Sequence, residues 1–363
     1  MTRSHLQILL FLAAVLLLGA LLAPPLYWAG KGLAGLVVSF KQSNTPVIGW
    51  IGKKLASHQF DSYYNRAFLV SALGLLWPFL KWMRLSGDKL GLEKSFQRTR
   101  DALTGFLIAC AFLAVLTALL LWSGAYVMEG KIDWFGLVSR AALTCIVVAL
   151  LEEWLFRGIF LGVALRSSRP WVAVILVSAL FSILHRIKAP DVVSYDPRVR
   201  ERAETYLKSN DWPNHFESVR ADPRAWDWLI EPEYSRFGPS RIHWGSGLEM
   251  TAVIFKKGAD PGTFLSSFLT LFAIGIILAR ARCVTRSLWL PIGIHAGLIF
   301  ANTVCLGMTK GSPGLEKGHY DLALGGTRIP WIGPQLQIGL APLITLLLMA
   351  IALEWQIRRR PSL

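Results

Sequence analysis

The chain is expected to fold as an all-α, polytopic transmembrane helix bundle of about eight spanning helices. Three observations carry this expectation. The 363 residues have a mean hydropathy of +0.45, and 53% of them are hydrophobic. Apolar runs of roughly 18 residues or more, each long enough to cross a ~30 Å hydrocarbon core, recur along the chain. The 15 Trp and 19 Phe residues suit a protein with aromatic side chains at two membrane interfaces.

The runs fall near 6–28, 67–83, 102–128, 141–165, 170–187, 262–281, 286–306 and 335–356. The first is too long, and lacks the small-residue cleavage pattern, for a secretory leader, so an uncleaved anchor is expected. An even number of spans puts both termini on one side. Lys and Arg are more frequent in the segments grouped with the termini than in the opposite short loops, which favours cytoplasmic ends. The basic tail Arg358–Arg360 fits a bacterial plasma membrane. Residues 31–66 are expected either as a loop or as an amphipathic element along the membrane surface. The net charge of +15 lies in short basic runs beside apolar spans. Topology and contact with the lipid bilayer explain it, and no nucleic-acid partner is expected.

Three regions follow: N-terminal spans with an interfacial segment over 1–133, a core over 134–306, and a C-terminal loop, last span and basic tail over 307–363. A polar stretch over 186–261 interrupts the core. It carries as many basic as acidic residues, with four Trp, and is expected to be an extramembrane insertion. The four cysteines lie in or beside apolar spans without a CxxC or Cys/His spacing, so each reads as a small hydrophobe.

Chemistry is expected where ionisable groups enter the spans. A carboxylate near the bilayer centre costs ~2.5–3.5 kcal/mol on insertion scales. Glu152 and Glu153 stand side by side within 141–165, and Arg157 follows four residues after Glu153 on the same face. Neighbouring residues diverge by about 100° on a helix, so the acids are expected to divide: one held by Arg157, the other facing the bundle centre. His185 ends the fifth span and His295 lies inside the seventh. Taken singly, His185 also fits an interfacial histidine and His295 a hydrogen-bonded core residue. Together, two acids and two imidazoles on neighbouring spans suit activation of water, directly or through a divalent metal. Ser178 and Ser182 share a span with His185, but nothing marks a nucleophile elbow. Asn302, seven residues after His295, sits on nearly the same face about 10 Å along the axis and is a candidate donor only from another depth. Buried Glu and His also serve proton-coupled transporters, and the cluster also fits a catalytically silent membrane scaffold.

The motifs resemble those of the CPBP intramembrane protease family, also called the Abi or type II CAAX prenyl endopeptidase family. Its EExxxR motif is matched by Glu152 through Arg157 and its FxxxH motif by Phe181 through His185. Its third motif, a histidine followed four residues later by Asn or a similar polar residue, is matched only at His295, with Ile299 in the fourth place. The resemblance covers roughly 135–305. It implies an α-helical membrane endopeptidase acting on a membrane-associated peptide or protein. In it Glu152, helped by Glu153, and His185 activate water, and His295 stabilises the oxyanion. Glu152, His185 and His295 would be the ligands of a divalent metal such as Zn2+.

Overall fold

The computed structural model describes residues 3–39, 55, 58–83, 96–186, 242–257, 261–312, 321–324, 327–330, 332 and 339–358. The chain divides into two compact units. One holds residues 84–186 and 260–363 with the first five residues, and the other holds 6–83 and 187–259.

The larger unit contains α3 (Phe96–Trp122), α4 (Trp134–Glu153), α5 (Leu161–Leu165), α6 (Pro170–Arg186), α8 (Pro261–Thr285), α9 (Trp289–Met308) and α10 (Leu340–Arg358). A π-helical turn, Trp154–Phe160, joins α4 to α5 without a break. Asp133 caps α4 by accepting a hydrogen bond from the Gly136 amide at 3.0 Å. Two short antiparallel ribbons complete the unit. In one, β1 (Tyr126–Met128) pairs with β2 (Thr309–Gly311). In the other, β3 (Asp321–Leu324) pairs with β4 (Thr327–Pro330).

Glycine and alanine set the helix spacing here. Side chains added at Gly293 and Gly297 would overlap the α3 backbone at Ala102 and Phe106. One added at Gly105 would lie 2.8 Å from the Leu290 carbonyl. Small residues that let main chains touch are how helices associate where lipid removes the hydrophobic drive. Gly275 on α8 meets Ser178 on α6 in the same way. The α8–α9 turn is tight: Arg286 takes φ 52°, a left-handed conformation uncommon outside glycine.

The smaller unit contains α1 (Arg3–Ser39, from Leu6 onward), α2 (Phe60–Trp82) and α7 (Ser246–Lys257). Its core is aromatic. Tyr27, Phe60, Tyr63 and Tyr64 cluster with Met250, Val253 and Ile254 of α7. Gly30 receives the Tyr63 ring and Gly19 the Phe68 ring. The Tyr64 hydroxyl hydrogen-bonds Thr251 Oγ1 at 2.7 Å.

The protein is an all-α membrane bundle, and each of the eight expected spans falls on a helix. Among the described residues, five helices are long and apolar enough to cross a membrane: Leu6–Val37, Gln97–Trp122, Trp134–Leu165, Phe268–Thr285 and Trp289–Met308. Pro170–His185 and Leu340–Gln356 are shorter apolar helices. Three boundaries differ from expectation. The span expected over 102–128 stops at Trp122, because Gly124 turns the chain with φ 74° and Tyr126–Met128 becomes a strand. The loop or interfacial element expected over 31–66 is replaced at its ends by α1, which continues to Ser39, and by α2, which starts at Phe60; most of the residues between lie outside the described residues. The stretch 186–261 includes the regular helix α7, while 187–241 lie outside the described residues.

Candidate active site

Burial on α4 repeats every four residues: Leu137, Ala141, Cys145, Ala149 and Glu153. Glu153 thus ends an apolar stripe, and the register that buries those small side chains carries its carboxylate into the core, where it is 0% exposed. Arg157 lies in the π-helical turn and is 1% exposed. Its Nη1 donates to Glu153 Oε1 at 2.9 Å, and its Nη2 donates to the Gly275 carbonyl at 3.4 Å. The expected Glu153–Arg157 pair is present. The uniform α-helix expected over 141–165 is not, because the π turn adds a residue and rotates everything after Glu153 by about 100°. Five consecutive residues, Phe156 to Phe160, are buried as a result.

His295 lies between Gly293 and Gly297, where α9 and α3 meet backbone to backbone. These glycines fix the helix rather than loosen it. The His295 Nδ1 donates to the same Glu153 Oε1 at 2.7 Å. Its Nε2 is then free to face Glu152, whose Oε2 lies 3.8 Å away. His185, on the last turn of α6, repeats the arrangement. Its Nδ1 donates to the Phe181 carbonyl at 2.9 Å, and its Nε2 lies 3.1 Å from Glu152 Oε2. That contact is close but poorly aligned, and Glu152 Oε2 makes no well-formed hydrogen bond. His185 therefore turns toward Glu152 instead of extending to the headgroups, and His295 is tied to both acids.

The donor set at this point is two Nε2 atoms and one carboxylate oxygen. With each Nδ1 committed as a donor, three lone pairs converge and repel unless a cation lies among them, either a shared proton or a metal. One carboxylate and two imidazoles match a common zinc ligand set that leaves a coordination position open. The residue types fit a divalent metal. Their spacing is not a finished cage, since no three His, Cys, Asp or Glu side chains among the described residues are grouped for one.

Exposure grades across the cluster. The side chains of Glu152 and His185 are 27% and 28% exposed, His295 7%, and Glu153 and Arg157 0%. One acid is held by Arg157 as expected, but it is this one, Glu153, that lies in the core; Glu152, expected to face the bundle centre, is partly exposed and faces the imidazoles. Asn302 does not join them. Its Oδ1 is buried and without a hydrogen bond, and no contact links it to either acid or imidazole.

Phe181 was not a candidate from the sequence. Its ring lies 4.4 Å from the Arg157 guanidinium carbon, 4.1 Å from the His185 ring and 5.9 Å from the His295 ring. One side chain touches both imidazoles and the arginine, and its own carbonyl orients His185. The four-residue spacing of Phe181 and His185 was the available signal. Nothing in the sequence pointed to the Gly275 carbonyl.

Residues 134–301 match the family model for type II CAAX prenyl endopeptidases of the Rce1-like kind. Over this segment the chain is similar to that family. No curated protein and no solved structure matches the chain significantly. The matched segment begins at the first residue of α4 and ends within α9, so it contains Glu152, Glu153, Arg157, Phe181, His185 and His295. Asn302 lies one residue beyond it. With its apolar helices, the protein is an integral membrane protein.

Proposed function

We propose that the protein is an intramembrane endopeptidase that hydrolyses a peptide bond of a membrane-associated substrate, with Glu152 and His185 activating water. The observation that carries this reading is the approach of His185 Nε2 and His295 Nε2 to one oxygen of Glu152, at 3.1 and 3.8 Å, from helices distant in sequence. Glu152 is the accessible acid. It takes a proton as water attacks the scissile carbonyl carbon, then returns that proton to the departing amine. His185 holds the water between its Nε2 and that carboxylate.

His295 is held by Glu153, and Glu153 by Arg157. Charged at Nε2, it donates to the oxyanion, and Glu153 offsets the imidazolium. Glu152, His185 and His295 are also the residues that would hold a divalent metal such as Zn2+, which when bound would supply a more acidic water. Loss of activity on chelation, restored by Zn2+ alone, would assign these groups as ligands; insensitivity to chelation would leave His295 as the oxyanion donor. We place the protein in a bacterial plasma membrane with both termini cytoplasmic, on the distribution of Lys and Arg.

The test compares the N-termini of membrane proteins in cells producing the wild type, Glu152→Gln or His185→Ala at matched levels. New N-termini in the wild type that vanish in both variants support the reading and name the substrate. Identical N-termini in all three sink it.

A further inference from the structure

The helix α7, inside the polar stretch 186–261, is apolar on two sides. Met250, Val253 and Ile254 point into the core of the smaller unit. Away from that core, Trp244, Leu248 and Phe255 are 69%, 45% and 52% exposed, with the exposed Ala252 between the last two. Positions 248, 252 and 255 fall on one helical face, and Trp244 lies in the turn just before the helix, so the exposed apolar residues are grouped rather than scattered.

The neighbouring α1 sets the depth of this stripe. From Arg3 to Lys31, α1 rises about 42 Å, close to the full thickness of a bilayer with its headgroups. Tyr27, Trp28 and Lys31 mark one end, with the Lys31 ammonium over the Tyr27 ring. Gly247 of α7 packs directly on the Ala20 carbonyl, about 12 Å of helix inward from Trp28. Trp244 meets Trp28 edge-on, with ring centroids 4.9 Å apart. The start of α7 thus spans the depth between the aromatic belt and the apolar middle of α1. On α1 at these levels Leu17 and Leu21 are 56% and 45% exposed, so the apolar surface is continuous between the helices. The polar groups of α7 collect off the stripe, where His243 Nε2 pairs with Glu249 Oε1 at 3.3 Å.

We infer that α7 lies within the membrane and that its Trp244–Leu248–Phe255 stripe is covered by lipid acyl chains, so this part of the stretch is not an extramembrane insertion. Twelve residues, about 18 Å, are too short to cross the bilayer and suit a helix that enters it from one side without spanning it.

The unmodified chain in phosphatidylethanolamine–phosphatidylglycerol vesicles, labelled by a lipid whose acyl chain carries a photoactivated carbene, should yield adducts on the peptide holding residues 244–255. In a background without the four native cysteines, spin labels at Leu248→Cys and Phe255→Cys should collide several-fold more often with oxygen than with a water-soluble nickel chelate. Leu17→Cys provides the lipid-facing standard. Nickel accessibility equal to that of a loop label would put α7 in water and overturn the inference. Inaccessibility to both reagents would mean that protein, including a second copy of the chain, covers the stripe, and would overturn it equally.

Discussion

The two adjacent glutamates occupy opposite kinds of surroundings. Glu153 sits in a sealed half of the site, where one oxygen receives both the Arg157 guanidinium and His295, and no part of either acid or arginine side chain meets solvent. Glu152 sits in an open half beside His185, more than a quarter exposed, with an oxygen that lacks a well-formed hydrogen bond. One half is closed to solvent and the other is open to it, although Glu153 Oε2 and Arg157 Nε, like Glu152 Oε2, make no well-formed hydrogen bond. The proposed mechanism gives architecture to the first and proton transfer to the second, although the residues are neighbours in the chain.

That division is open to direct attack. The largest effect is expected from Glu152→Gln, which should lower the rate of processing of any substrate found by about 10²–10⁴-fold while leaving the thermal unfolding midpoint in detergent close to wild type. A large fall in that midpoint would mean that the open half is structural after all. Glu153→Ala should do the reverse to the fold, because it strands the buried Arg157; a loss of about 3–5 kcal/mol is expected, read as a lower midpoint and reduced accumulation. If Glu153→Ala is as stable as wild type, the sealed half is not holding the bundle.

Smaller effects sharpen the boundary between the halves. Gly293→Ala places a methyl group against the Ala102 backbone and should cost about 1–3 kcal/mol, with a loss of activity that follows the displacement of His295. Phe181→Leu removes the ring from Arg157 and both imidazoles, worth about 0.5–2 kcal/mol for the cation–π contact. It should shift the pH profile of processing more than the unfolding midpoint. A changed midpoint with an unchanged profile would make Phe181 a packing residue only.

Much of this was legible from residues alone. Long apolar runs announced the spans, and two acids in such a run required partners. The four-residue interval from Glu153 to Arg157 foretold their pairing, and burial singled out His185 and His295. What stayed hidden depends on tertiary choice. The π turn follows from a shift in hydrogen-bond partner by one residue, which packing against α6 and α8 decides and no side-chain pattern records. Phe181 opened the FxxxH motif, but its contacts with Arg157 and both imidazoles come from three segments and could not be read from the chain. Asn302 shares a nominal face with His295, yet seven residues along the axis proved too far. The helix α7 escaped notice because charged neighbours outweigh its apolar positions in a window average.

The glycines on either side of His295 have a consequence for how this protein tolerates change. Main chain rests on main chain there, so the imidazole is located by backbone geometry and not by the shape of surrounding lipid-facing side chains. Outward positions on α3 and α9 can exchange one bulky apolar residue for another without moving the ring. A substitution that parts the two helices leaves the ring hanging on its single bond to Glu153.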